Sequence, residues 1–98
     1  MCSIKRTEEF NSWLFGLKDG LTHRRLLARL RKASLGSLGD VKPVADGVFE
    51  MREHFVPGWR MHYVQRGAAL IVMLGGGDKS KQSADIAKAV QIAALLKE

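Results

Sequence analysis

Two consecutive segments, Val48 to Phe55 and Trp59 to Arg66, alternate apolar and polar residues, and Val56-Pro57-Gly58 breaks the chain between them. Strict alternation is the mark of a half-buried strand, because successive side chains leave a strand on opposite faces. In the first segment Phe49, Met51 and Phe55 share one side and Glu50, Arg52 and His54 the other, with Glu53 interrupting the apolar side. In the second, Trp59, Met61 and Tyr63 stand opposite Arg60, His62 and Arg66. Paired as a hairpin, the two strands put imidazoles and guanidiniums on a single sheet face. A surface of that kind suits phosphate, and imidazole titrates near neutral pH, so it can move protons in RNA cleavage.

The rest of the chain supplies the frame. Ser3 to Thr7 reads as a short edge strand. Thr7 followed by two glutamates is an N-cap with acids in the first turn, and Phe10, Trp13, Leu14 and Leu17 recur at helical spacing, so the first helix is expected over Glu8 to Lys18. Asp19-Gly20 ends it. A second helix is expected over Leu21 to Ala33, with Leu26, Leu27 and Leu30 as its apolar stripe and Thr22 as a candidate cap; the short connection predicts a helical hairpin. Gly36 to Asp40 reads as a loop and Val41 to Val44 as a short strand, with Pro43 marking an edge or irregular position. Asp46-Gly47 is a two-residue turn signal. Arg66-Gly67 turns the chain into Ala69 to Leu74, apolar on both sides as a strand covered twice would be. Gly75-Gly76-Gly77 is read as the exit from that strand. Ser80 or Ser83 then caps a final helix to about Lys97, with Ile86, Val90 and Ala93 inward.

This order, β-α-α-β-β-β-β-α, predicts one α+β domain over residues 1–98: an N-terminal helical hairpin packed on a four- to five-stranded, mainly antiparallel sheet, with a C-terminal helix. The helices are expected on one face, leaving the face of Arg52, His54, Arg60 and His62 partly open. At 46% hydrophobic residues the chain can bury a small core. The longest apolar run, Ala68 to Leu74, has the length of a buried strand and not of a membrane span, and Met1 to Arg6 has no apolar segment of the signal-peptide kind. The single cysteine, Cys2, excludes zinc-finger readings and fits a reducing, cytoplasmic setting.

Sixteen Lys or Arg against ten Asp or Glu give a net charge of +6, which favours a polyanionic partner: RNA, DNA or an acidic protein. The second helix carries Arg24, Arg25, Arg29, Arg31 and Lys32 with no acid between them. Like charges at helical spacing repel, so an anionic partner can face them; a solvated face whose aliphatic stems cover the core edge is the alternative. His23, on the same helix, reads as an exposed residue. Trp59 can stack a base, although its apolar neighbours on alternation argue for core packing. The triple glycine followed by Lys79 lacks P-loop spacing, so no nucleotide-triphosphate site is expected.

Three segments, Asp40 to Gly47 (DVKPVADG), Val48 to Tyr63 (VFEMREHFVPGWRMHY) and Leu74 to Ala89 (LGGGDKSKQSADIAKA), make the chain resemble the RelE/ParE toxin superfamily, and more narrowly its HigB-like "addiction module killer protein" branch. The resemblance implies a microbial-RNase-like fold. It implies the toxin of a type II toxin–antitoxin system, a ribosome-dependent mRNA endonuclease that needs no metal or cofactor and inhibits translation and growth. Its partners would be the ribosome, mRNA and a cognate antitoxin, often of helix-turn-helix type; the toxin would be a monomer when free and part of a hetero-oligomer when held. Other members of the superfamily poison DNA gyrase by binding, and a basic binding protein with decayed toxicity is a third possibility.

Carried over residue by residue, the resemblance makes Arg60 the contact to the scissile phosphate. It matches the basic position after the last strand to Lys79, with Lys81 nearby. The tyrosine that relatives carry in the last helix has no counterpart; Asp85 falls near its place. RNA cleavage by its own 2′-hydroxyl needs a base, positive charge on the phosphorane and an acid for the 5′-oxygen. Arg52, Arg60 and Lys79 would supply charge, Arg with a fork that fits phosphate. His54 or His62 can serve as base or acid, and Glu50 as base or as the group orienting a histidine. Lys81, Arg66, Trp59 and Asp85 complete the expected RNA contacts, and Arg24, Arg25, Arg29, Arg31 and Lys32 the expected antitoxin surface.

Overall fold

A computed structural model describes residues 2–96. Strand β1 spans Ser3–Arg6, helix α1 Glu8–Phe15 and helix α2 Gly20–Ser34. Four strands follow, β2 (Val41–Ala45), β3 (Val48–Glu53), β4 (Trp59–Arg66) and β5 (Leu70–Asp78), then a 3₁₀ turn at Lys79–Lys81 and helix α3 (Gln82–Leu95). Lys97, the expected end of the last helix, lies outside the described residues.

Thr7 caps α1 as expected, its Oγ1 accepting from the Phe10 amide at 3.1 Å. The helix stops at Phe15 and not Lys18, because Gly16 closes its last turn and Asp19 already begins the next helix. Asp19, not Thr22, caps α2: its carboxylate accepts from the Leu21 amide and from Thr22 Oγ1, and Thr22 is buried. Neither Ser80 nor Ser83 caps α3. Asp78 accepts from the Ser80 amide at the head of the 3₁₀ turn, and α3 grows out of that turn without a side-chain cap.

The five strands form one mixed sheet in the order β1-β5-β4-β3-β2. β2 to β5 are an antiparallel meander, and β1 runs parallel to β5 at one edge. Asp46 and Gly47 both take positive φ in the β2–β3 turn, the conformation an Asp-Gly pair tolerates best. Pro43 lies in the edge strand β2, next to an irregularity in its pairing.

Helices pack on both faces of the sheet, which corrects the expectation that they would all lie on one. On one face Phe10 and Leu14 of α1 and Leu26, Leu30 and Ala33 of α2 pack on Met51, Met61, Tyr63, Ile71 and Met73. Burying a leucine this way stabilises by roughly 1.5–3 kcal/mol. On the other face α3 lays Ala89, with Val90, Ile92 and Ala93, over Val48, Val64, Val72 and Leu74. Those four apolar residues share their face with Glu50, Arg60 and His62, and the drive to bury them brings α3 across it.

β5 is longer than expected because the triple glycine stays in the sheet. Gly75, Gly76 and Gly77 pair with His62, Met61 and Arg60. Tyr63 pairs with Met73 and His62 with Gly75, so Leu74 is an extra residue, a bulge that re-phases the strand. Past it, Gly76 faces α1 and Gly77 faces α3. A Cβ on Gly76 would stand 2.6 Å from Trp13, and Asp85 Oδ2 occupies the place of a Cβ on Gly77. The glycines therefore let one indole and one carboxylate rest on the backbone itself.

Candidate functional site

The β3–β4 register pairs Glu50 with His62 and Arg52 with Arg60, so these four side chains share one face of adjacent strands. Their surroundings divide them. Glu50 and His62 are fully buried and Arg60 is 8% exposed. Glu50 accepts hydrogen bonds from two residues and faces a third: His62 Nε2 lies 3.0 Å from Oε2, Gln82 Nε2 donates to both carboxylate oxygens at 3.0 Å, and Arg60 Nε stands 3.5 Å from Oε1 as an ion pair without a hydrogen bond. The 3₁₀ turn and the start of α3 thus close over Glu50 and His62. His62 Nδ1 and Arg60 Nε, both buried, have no hydrogen-bond partner among the described residues. Arg60 also donates from Nη1 to the Trp59 carbonyl at 3.3 Å.

His54 lies past the end of β3 and is exposed. Its Nε2 is 2.6 Å from Asp40 Oδ2, while Arg52 Nη2 donates to Asp40 Oδ1 at 3.1 Å. The His54 hydrogen bond, then that of Arg52, holds the Asp40 carboxyl below the usual carboxylate range. Asp40 is the neighbour of these candidate residues that sequence reasoning missed. The Asp46-Gly47 turn gives the direction of pairing, but the irregularity between Pro43 and Ala45 shifts the register so that the Asp40 carbonyl meets the Arg52 amide.

Lys79 and Lys81 stand exposed at the same end of the sheet. The Lys79 amide donates to the Gly58 carbonyl at 2.9 Å, which places its side chain beside the start of β4. Below them a cavity of about 220 Å³ is lined by Trp13, Trp59, Gly76, Gly77, Asp78, Lys81 and Asp85. Burial pushes the Asp85 carboxyl up, against the opposing pull of His62 and Lys81. Trp59 is half-buried and packs at 6.3 Å from Trp13.

Two groups fall elsewhere. Arg66 stands at the far end of β4, six residues or about 20 Å along the strand from Arg60, in a different pocket with Lys5, Arg6 and Leu96. Arg29 is 8% exposed and turned inward: it donates to the carbonyls of Leu38, Asp40 and Arg52 and pairs with Glu53. This explains the acid that interrupts the apolar side of β3, and it removes Arg29 from the expected antitoxin surface. Arg24, Arg25, Arg31 and Lys32 stay exposed, and Arg25 lies 4.7 Å over the Phe55 ring. His23 is half-buried, its Nδ1 3.1 Å from the Leu14 carbonyl. Among the described residues no group of three or more His, Cys, Asp or Glu is arranged to hold a metal ion, and no helix is long and apolar enough to cross a membrane.

Fold and site together define a small basic α+β protein whose mixed sheet gathers cations at one end. The chain is 39% identical, over 90 residues, to an uncharacterized protein of Haemophilus influenzae, an alignment spanning 92% of this chain and 91% of that protein. It belongs to the same family as that protein. No family model and no solved structure matches it.

Proposed function

We propose that the chain is the toxin of a type II toxin–antitoxin module, of the RelE/ParE superfamily and its HigB-like branch, and that it cleaves mRNA on the ribosome in the cytoplasm without a metal. The observation that carries this reading is the cross-strand pairing of Arg52 with Arg60 at the end of the sheet where Lys79 and Lys81 also gather. That end offers a phosphate several cations, one of them a guanidinium backed by a buried carboxylate.

Of His54 and His62, His54 is the one that RNA can reach. Asp40 holds its Nε2, which leaves Nδ1 to take the proton from a 2′-hydroxyl. The 2′-oxygen then attacks phosphorus, the bond to the 5′-oxygen breaks, and that oxygen takes a proton from Lys79, Lys81 or water at the exposed rim. Glu50 and His62 serve as the support that positions Arg60. The exposed Arg24, Arg25, Arg31 and Lys32 offer an acidic antitoxin a docking face.

Complete burial of Glu50 and His62 favours a second reading, a gyrase-directed toxin that acts by binding. Primer extension on mRNA from expressing cells separates the two. New 5′ ends within coding regions support the nuclease; intact mRNA together with DNA-damage signalling overturns it.

A further inference from the structure

We infer that the cavity bordered by Trp13, Trp59 and Asp85 is a slot for a single nucleobase and that it selects guanine. The inference rests on the reading of the chain as an RNA-directed toxin. Its lining is built for a flat heterocycle. The two indoles meet at 55° and form two sides of a corner. Gly76 and Gly77 border it without side chains, so the Trp13 indole and the Asp85 carboxylate lie directly on the backbone at its edge. β1 pairs with β5 only as far as Met73, so the backbone from Gly76 to Asp78 runs on with no strand along that edge, and an edge of this kind presents amide and carbonyl groups outward. The cavity, about 220 Å³, takes one heterocycle and leaves the sugar and phosphate outside, where Lys81 stands at the lip.

Asp85 supplies the selectivity. Its carboxylate rests on Gly77 and makes no ion pair within 4.0 Å among the described residues. A carboxylate only accepts, and its two oxygens match two adjacent donors. Guanine offers such a pair in N1–H and the exocyclic amine. Adenine and cytosine offer one amine beside an acceptor, and uracil flanks its single N–H with two carbonyls that a carboxylate repels. Aromatic stacking is shared by all four bases, so it contributes affinity and not choice.

The chain has two tryptophans, and both line the slot, so intrinsic fluorescence reads it directly. The full chain is titrated with 3′-GMP, 3′-AMP, 3′-CMP, 3′-UMP and ribose 5-phosphate. 3′-GMP is expected to quench saturably and to bind about tenfold or more tighter than the other nucleotides, in line with the discrimination of a bidentate contact. Asp85→Asn should bring 3′-GMP to the level of 3′-AMP with an unchanged circular dichroism spectrum. Equal binding of all four nucleotides, the same quenching by ribose 5-phosphate, or an undiminished guanine preference in Asp85→Asn overturns the slot. Guanine-selective quenching in a chain whose expression leaves mRNA intact keeps the slot and defeats the nuclease reading. Cleaved mRNA without 3′-GMP binding does the reverse.

Discussion

Glu50 and His62 face each other across β3 and β4 at 3.0 Å, and neither is exposed to solvent. A carboxylate in such a place is costly unless donors and opposite charge surround it, and Glu50 has donors in His62 and Gln82 and a cation in Arg60. Because Gln82 belongs to α3 and the other two to β4, this one side chain ties the last helix to the sheet.

Glu50→Ala should therefore destabilise the fold by about 3–5 kcal/mol, the cost of stripping one member from a buried ionic cluster. Glu50→Gln keeps the shape and one acceptor oxygen, and should cost less. Urea denaturation gives both numbers. A midpoint for Glu50→Ala that matches the parent protein would mean the cluster contributes nothing to stability.

The arginines of α2 separate in the same way. Arg29 satisfies three backbone carbonyls and Glu53, whereas Arg31 is exposed and makes no ion pair among the described residues. Arg29→Ala should cost about 3–5 kcal/mol and Arg31→Ala less than about 0.5 kcal/mol. Thermal melts of the two variants side by side test this; equal shifts would contradict it.

Much of this architecture is legible in the residues, for reasons of periodicity. The alternation of Trp59 to Arg66 places β4 residue for residue, and Thr7 and Asp46-Gly47 set local structure through their own side-chain and backbone preferences. The sharing of one face by Glu50, Arg52, Arg60 and His62 follows from the same alternation. Burial of that face does not. Val48, Val64, Val72 and Leu74 lie on three strands, and their sum becomes an apolar patch only once the sheet is assembled and α3 has something to cover. Gly75 to Gly77 mislead for a related reason. Alone they signal an exit, but here their missing side chains make room for Trp13 and Asp85, which arrive from two different helices. The inward turn of Arg29 depends on a loop carbonyl cluster with no local pattern.

Arg60 and Arg66 offer a test of where on β4 the activity lies. If the proposed phosphate site is at the Arg60 end, Arg60→Ala should abolish growth arrest and Arg66→Ala should leave it in place. Arg60→Lys keeps the charge but loses the planar fork, so it should retain only part of the activity. Induction in culture reads growth, and circular dichroism of the purified variants confirms the fold. Full growth arrest by a folded Arg60→Ala protein would remove this residue from the mechanism.

Asp40 and Asp85 should give opposite pH signatures. The Asp40 carboxyl titrates lower in the folded chain than in the unfolded one, through His54 and Arg52. Its contribution is present above the unfolded value and is lost as pH falls through the folded one. Asp40→Asn should therefore be less stable than the parent near neutral pH, with the difference closing in acid. The Asp85 carboxyl titrates higher in the folded chain, because burial disfavours its charge. The folded state then holds the proton more tightly, so the penalty is absent in acid and grows as pH rises from the unfolded value through the folded one. Asp85→Asn should be more stable than the parent near neutral pH, and again the difference closes in acid. Urea midpoints of the three proteins across this range decide it: shifts of the same sign in both variants would mean that one of these two carboxylates is held by forces other than those assigned to it.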